Sequence, residues 1–447
     1  MIAKWGAWLG GAGLLGLVGG CGGAELGEAI LDARRDLRGA LPVFPGAEGF
    51  GSTTPAGRGG QVLRVTSLAE RGPGTLREAL STPGPRTVLF EIGGVIQSRE
   101  VMVIGEPFVT VAGQSAPAPG ITLAGAGLVI ATHDVLLQHL RVRAGDDPDG
   151  PDPGGRDSLS IDGGPGGQNG VHDVVVDHCS FTWAIDEGAS TWNPVRDVTF
   201  SSSLIAENLS HSLHPKGEHS KGLLLGDHGQ RISVLFNLLA HNRLRNPIVK
   251  GDVSALLANN VIYNPGAEAI HLDDPEHSGP SLASLLGNVL IAGPDTNATV
   301  PLCDVLWDVP ATTEVGLYDN LLGRQPLSRA LFNPGVLRPL SEPTAGRVWV
   351  QPLSLRPAAE VLAFVLPRVG ATPAVRDAVD ARIVESVRTH GGAIIDSPAE
   401  VGGLPNLLTP TRSLQLPADP AGDDDGDGYT NLEEWLHGLA AAVEGAR

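Results

Sequence analysis

The stretch Val174–Glu187, VVVDHCSFTWAIDE, runs three adjacent valines into a tight polar corner and then into a pair of carboxylates. Val174, Val175 and Val176 are β-branched and bounded by polar residues, which predicts a short strand packed on at least one face. Similar pieces recur: DVLLQHLRV from Asp134, DVVVDHCSF from Asp173, DVTFSSSLI from Asp197, RISVLFNLLA from Arg231, SALLANNVIY from Ser254, SLASLLGNVLI from Ser281 and EVGLYDNLLG from Glu314. Successive starts lie 39, 24, 34, 23, 27 and 33 residues apart. The unit has neither the leucine pattern of a horseshoe nor the helix pairs of an α-solenoid, so it reads as one turn in a coiled stack of strands.

The last four copies carry asparagine at one place, Asn237, Asn260, Asn288 and Asn320. A right-handed parallel β-helix turns sharply between strands once per coil, and asparagine tolerates the left-handed backbone expected at such corners. Stacked asparagines can also bond their amides up the column. Asparagine is a common turn residue in any fold, but four in register point to a column.

Composition agrees. Glycine at 60 and proline at 35 of 447 residues, with aromatics at 4% and little helical periodicity, favour an all-β, loop-rich architecture, while 42% hydrophobic residues suffice for a large core. A net charge of −19 argues against nucleic acid or an anionic membrane surface as a partner. An acidic polysaccharide would require a local cationic cleft or bound metal ions.

The N-terminal residues MIAKWGAWLGGAGLLGLVGGCGG place one lysine before an apolar run from Trp5 to Val18 and then Cys21. This pattern predicts a secretory signal over residues 1–20 with a lipobox-like end, too short for an ordinary transmembrane helix. Cys21 would be lipidated after cleavage; secretion without a lipid is the other reading. Residues 21–43 read as a tether with a short helix through AILDARRDL. Cys179 and Cys303 fall in distant rungs and are expected as two buried thiols. Farther on, TLREALS forms a short helix with Thr75 at its N-cap and Leu76, Ala79 and Leu80 on one face, suited to closing the open end of a stack.

FPGAEGFG from Phe44, GPGTLREAL, VTVAGQSAPAPGITL, RVRAGDD, VDHCSFTWAIDE, HNRLRNP, ANNVIYN and RDAVDARIV with IIDSPAEVGG together resemble the extracellular pectate lyases of polysaccharide lyase family 1, in the bacterial subgroup that opens with FPGAEGFG. The resemblance covers roughly Phe44 to Gly403. It implies a right-handed parallel β-helix over residues 44–350 that cleaves polygalacturonate by calcium-assisted β-elimination in a groove along its side. A wrapping segment over residues 351–415 would follow, and there Val379, Ile383 and Val387 predict an amphipathic helix ending at Gly391 and Gly392.

Matched motif by motif, the resemblance implies calcium ligands at Asp157 and Asp186, with acids of the family replaced here by Gly155 and Ser190; Glu187, Asp147 or Asp162 could compensate. Asp177 and His178 match the family's DH motif, although a histidine beside a strand is more often structural. Arg245, two residues before Pro247 in the Arg-x-Pro motif, matches the arginine that abstracts the C5 proton. A guanidinium is normally protonated, and the family's answer is a crowded cationic, metal-bound site. Lys221 and Lys250 match cationic positions that grip uronate carboxylates, and with Arg243 and Arg245 they would form the cationic patch that the net charge demands.

The tail, residues 416–447, carries DDDGDGYTNLEE. Asp423, Asp425 and Asp427 occupy positions one, three and five of a twelve-residue calcium loop, with Gly428 at six, the Tyr429 carbonyl at seven, Asn431 at nine and Glu434 at twelve. A single loop reads as a structural Ca2+ clip. The functional expectation is thus an exported, monomeric lyase acting on pectate, either a bacterial outer-membrane or cell-surface lipoprotein or freely secreted, with membrane contact only through the lipid. The alternatives are a lyase for methylated pectin or another uronan, and a non-catalytic polysaccharide-binding β-helix.

Overall fold

One full turn can be followed from Arg196. The strand Arg196–Ser201 ends at a two-residue corner, Leu204–Ala206 leaves in a new direction, a loop intervenes, and Lys221–Leu225 leads back to Gln230–Leu235. That strand lies parallel to the first, with Val198 opposite Ile232 and Phe200 opposite Val234. In the computed structural model, which describes residues 33–323, 325–326, 336–406 and 408–445, repetition of this turn builds three long sheets of eleven, eight and ten strands. The result is the expected right-handed parallel β-helix.

The valine run explains how the stack is sealed. Val174 and Val176 point into the interior, beside Val135, Val198 and Ile232 of other coils. Val175 points outward and is buried under the N-terminal strap with Val43, Ala47 and Ala56. A strand covered on both faces needs no polar alternation, and each buried valine contributes about 1.5–3 kcal/mol. The strap fits closely. Phe50 takes the Thr199 hydroxyl on its carbonyl at 2.6 Å, and at Gly49 (φ +100°) a Cβ would lie 2.4 Å from Thr199 Oγ1.

The asparagine column forms, with one correction. Oδ1 of Asn260 accepts from the backbone N–H of Asn237 at 3.0 Å, Oδ1 of Asn288 from Asn260 at 3.1 Å, and Oδ1 of Asn320 from Asn288 at 2.9 Å. The left-handed residue, however, precedes each ladder asparagine: Phe236 at φ 58°, Asn259 at 53°, Gly287 at 65° and Asp319 at 49°. The ladder positions were kept for their amides, and the strain falls on the residue before.

Helix α1 (Leu76–Leu80) caps the N-terminal end, with Thr75 accepting from the Glu78 N–H and Leu76, Ala79 and Leu80 buried. The wrapping segment contains α2 (Ala358–Arg368), which the sequence pattern did not show, and α3 (Ala378–Thr389), whose Val379, Ile383 and Val387 are buried. Helix α3 ends on His390 in the left-handed conformation, just ahead of the expected glycines. It is clamped through buried charges: Arg143 donates to Asp377 at 2.6 Å and to Asp380 at 2.9 Å, and the Ser180 hydroxyl donates to Asp380 at 2.6 Å. Helix α4 (Asn431–Glu444) follows the tail loop and packs Leu432 and Leu436 against Leu89 and Ala112.

Residues 33–445 lie in one compact unit, and the signal, Cys21 and most of the tether lie outside the described residues. The described part of the expected AILDARRDL helix is instead a strand, Arg34–Asp36, paired in parallel with Trp349–Gln351. Cys179 and Cys303 are both buried free thiols. No described helix is long and apolar enough to cross a membrane.

Candidate active site

The acids and cations singled out in the sequence meet at the leading edge of the eight-stranded sheet. Ala189 lies opposite Leu159, so two residues earlier Glu187 faces Asp157, and the Glu187 N–H donates to Asp157 Oδ1 at 2.9 Å. Glu187 lies opposite Lys221 on the next coil, and Lys221 bridges to Leu244, the neighbour of Arg245, on the one after. Four consecutive coils thus deliver Asp157, Glu187, Lys221 and Arg245 at one level.

One oxygen each of Asp157, Asp186 and Glu187 lie within 4.8 Å of one another. Burial, then the charges of Glu187 and Asp186, push the Asp157 carboxyl well up, and burial with Asp186 pushes Glu187 up. Burial also works against ionisation of Asp186, yet hydrogen bonding by the His219 ring and the charge of Lys221 hold it well below the usual range. Lys221 Nζ lies 3.2 Å from Asp186 and 3.4 Å from Glu187, and Arg245 is ion-paired with Glu187. Three crowded hard-oxygen donors, two of them resisting ionisation, suit a divalent cation such as calcium.

The family's missing acids are accounted for differently. Ser190 points its hydroxyl at Asp157 Oδ2, 2.7 Å away, and steadies that carboxylate. Gly155 has open space where a side chain would stand. Of the three substitutes considered, Glu187 joins the cluster; Asp162 instead accepts from Gly164 and Asn193, and Asp147 from Asp149.

The four cations are each paired with acids, and shared acids link them: Lys221 and Arg245 share Glu187, the charges of Arg243 and Arg245 both reach Glu268, and those of Lys250 and Arg245 both reach Glu276. Lys221 and Arg245 stand at the acids, whereas Lys250, beyond the other end of the short strand Ile248–Val249, pairs with Asp273 at 2.9 Å and Glu276 at 2.7 Å. Arg243 pairs with Glu218 at 2.8 Å. The acids of neighbouring coils claim these two, because the stack places them alongside. His178 is held by Asp177 at 2.8 Å, near Glu444 of α4 and outside the acid cluster.

Sequence reasoning missed two residues here. The irregular loop 207–220 brings His214 and His219 onto Asp186, their Nε2 atoms 3.8 Å and 3.4 Å from its Oδ1. Nothing periodic marks them. Burial, with help from His219, Lys221 and Lys216, lowers His214 to about 4, so it is neutral near pH 7.

In the tail, Asp423, Asp425 and Asp427 converge to within 4.8 Å and are exposed. Their oxygens accept from the loop's own N–H groups, Asp423 from Gly426 and Gly428 and Asp427 from Tyr429. Burial and the charges of Asp425, Asp427, Asp423 and Asp424 raise Glu434. At position nine, the Asn431 Nδ2 donates to the Asp419 carbonyl at 2.9 Å and its Oδ1 accepts from the Asp424 N–H at 3.2 Å, so its amide braces the loop.

No family model matches the chain. Among curated proteins it is similar to the probable pectate lyase C of Aspergillus flavus, 34% identical over 90% of this chain and 94% of that protein. The chain belongs to the pectate lyase family. The probable pectate lyase C of Aspergillus oryzae is 33% identical over 90% of this family member and 94% of its own length. Among solved structures, a Bacillus subtilis pectate lyase variant matches with a TM-score of 0.53 at 14% identity, over 74% of this chain and 98% of its own. A Bacillus pectate lyase in complex with trigalacturonate matches with a TM-score of 0.51 at 13% identity, over 73% of this chain and 99% of its own. These likenesses show the β-helix fold.

Proposed function

We propose that this protein cleaves polygalacturonate by calcium-assisted β-elimination, releasing unsaturated oligogalacturonides. The observation that carries the reading is the convergence of Asp157, Asp186 and Glu187 with Lys221 and Arg245 at one sheet edge. The Arg245 side chain is 23% exposed, enough to reach a bound sugar, which favours an enzyme over a passive binder.

Asp157, Asp186 and Glu187 would hold the cation. When bound, calcium neutralises the uronate carboxylate and so acidifies the C5 proton. Lys221 offers its ammonium to the same carboxylate. Glu187 would also be drawn to a bound ion, and a weaker pairing with Arg245 would lower the affinity of that guanidinium for its proton. With its own proton passed to solvent, the neutral guanidine of Arg245 takes the C5 proton, the released electron pair forms the C4–C5 double bond, the C4–O4 bond breaks, and O4 leaves with a proton from solvent. Lys250 and Arg243 contact uronates farther along the chain, through ion pairs that a substrate carboxylate can exchange.

The FPGAEGFG segment supports placement in the bacterial subgroup that opens with it. The N-terminal pattern supports export, with residues 1–20 as signal and Cys21 as lipid anchor to an outer membrane or cell surface, or secretion without the lipid. Residues 21–43 then serve as tether, 44–350 as the catalytic β-helix, 351–415 as wrapping segment and 416–447 as a calcium-clipped terminal helix. Asp423, Asp425, Asp427, Asn431 and Glu434, with the Tyr429 carbonyl, would hold that second calcium. The working unit is a monomer.

The test is ultraviolet absorbance of unsaturated product from protein lacking residues 1–21, on polygalacturonate, with calcium or chelator, beside Arg245→Ala. Calcium-dependent product that vanishes in the variant is expected. Absence of product on polygalacturonate, pectin and other uronans would overturn the reading.

A further inference from the structure

The strand Glu187–Trp192 carries more than its carboxylate. Ala189, Leu223, Leu225, Val249 and Leu272 point into the core of the stack, so the residues alternating with them face outward, on the side of the acid cluster. On this strand those are Ser190, whose hydroxyl holds Asp157, and Trp192 two places on, about 7 Å farther along. Trp192 is 38% exposed. Its indole leans onto Gly226 of the next coil, where a Cβ would stand 3.3 Å from Trp192 Cε3.

The ladder carries this level from coil to coil. The Gly226 N–H donates to the Thr191 carbonyl at 2.9 Å, the Lys250 N–H to that of Leu225 at 3.0 Å and the Asp273 N–H to that of Val249 at 3.3 Å. Trp192, Gly226, Lys250 and Asp273 therefore stand in one row on successive coils. Two coil spacings put the Lys250 backbone about 10 Å from that of Trp192, with only the bare Gly226 between them. The row offers an aromatic surface, a place without a side chain and then a cation. That order suits a uronate ring. Sugar C–H groups are polarised positive by their oxygens and settle on the negative face of an aromatic ring. In a galacturonosyl unit the axial O4 leaves the C–H groups of C3, C4 and C5 together on one face, while the C6 carboxylate projects from the rim. Lys250 is held by Asp273 and by Glu276, whose side chain is 55% exposed and able to swing aside for that carboxylate.

We propose that Trp192 is the stacking platform of a uronate subsite beside the cation site, with Lys250 taking the carboxylate of the stacked sugar. The proposal rests on the reading of the acid cluster as the centre of a pectate lyase, and adds to it an aromatic contact that selects the sugar ring as well as its charge. A contact made equally before and during cleavage lowers KM and leaves kcat alone. Among the described residues the other exposed tryptophan is Trp307, in the turn after Cys303–Val305; it lies outside the row and serves as the control.

Calorimetry with hexagalacturonate and calcium measures the subsite, in an Arg245→Ala background that leaves the ligand uncleaved. Trp192→Ala should weaken binding about three- to tenfold, the worth of one well-placed aromatic contact. Trp192→Tyr should restore most of the affinity, and Trp307→Ala should leave it unchanged. In the active chain, Trp192→Ala should raise KM on polygalacturonate by a similar factor, with the loss absent from kcat. Far-ultraviolet circular dichroism shows that each variant is folded. Unchanged affinity in folded Trp192→Ala, an equal loss in Trp307→Ala, or no hexagalacturonate binding with Trp192 in place overturns the proposal, as does a fall in kcat with KM unmoved. Failure of the lyase reading is separately visible, as binding that depends on Trp192 without unsaturated product from any uronan.

Discussion

Ser190→Ala asks whether the acid cluster is a cation centre tuned by its neighbours. The Ser190 hydroxyl donates to Asp157 Oδ2 at 2.7 Å, and with the Glu187 N–H on Oδ1 it offsets the burial of that carboxylate. Even so, the folded state raises Asp157, through burial first and then Glu187 and Asp186. A carboxyl raised on folding stabilises the fold below its unfolded value, and that contribution is lost as pH climbs through the raised folded value. The cation-free chain therefore loses stability in that window, and a cation that needs the carboxylate binds better across it. A hydrogen bond to a charged group contributes about 1.5–3 kcal/mol, and about 1.4 kcal/mol corresponds to one pKa unit. Removing the hydroxyl should thus move the midpoint of groove Ca2+ binding up by about 1–2 pH units. Calorimetric titration across mildly acidic to mildly basic pH measures it, with the tail loop silenced by Asp423→Asn and Asp425→Asn in both chains. Coincident midpoints, or groove binding independent of pH, would refute the reasoning.

Two other perturbations probe the supports of the site. Asp380→Ala leaves Arg143 with one carboxylate fewer in a buried network and strips Ser180 of its acceptor; urea unfolding should show a loss of about 3–5 kcal/mol, and a loss below about 1 kcal/mol would mean that α3 is held by its apolar face alone. Asp425→Asn should abolish the calcium-dependent protection of α4 in hydrogen exchange while leaving the lyase rate within about twofold, a rate ratio worth under 0.5 kcal/mol; a large fall in rate would tie the tail loop to the chemistry.

Much of the architecture was legible, because a stacked coil imposes its period directly on the sequence. The valines at 174–176 could be read as a strand, and the asparagines at 237, 260, 288 and 320 as a column, since each repeats at the same point of the turn. The left-handed position was not legible. Asn259, Gly287 and Asp319 are types that tolerate that backbone, but each stands beside an asparagine that tolerates it equally, and at Phe236 the corner forces it on a residue that does not. Helix α2 escaped because AAEVLAFVLPR is apolar over most of its circumference and carries Pro367 near its end. At the site, the motifs named Asp157, Asp186, Lys221 and Arg245, but which charges touch depends on the register between coils. That register gave Lys250 to Asp273 and Glu276 and left His219 inside a loop with no period to betray it.

Helix α4 bears on the order in which the molecule can be completed. Each coil pairs with a neighbour a few tens of residues away, so the stack can grow as the chain emerges, one end first. Helix α4 comes last and rests on early coils, with Glu433 taking Arg58 across 375 residues. A chain threaded through a membrane from its N-terminus would build nearly all of its groove before this latch arrived. Truncation or a stalled passage would leave a formed β-helix with the apolar patch around Leu89 and Ala112 uncovered, a distinctive mark by which quality control could tell an unfinished molecule from a finished one.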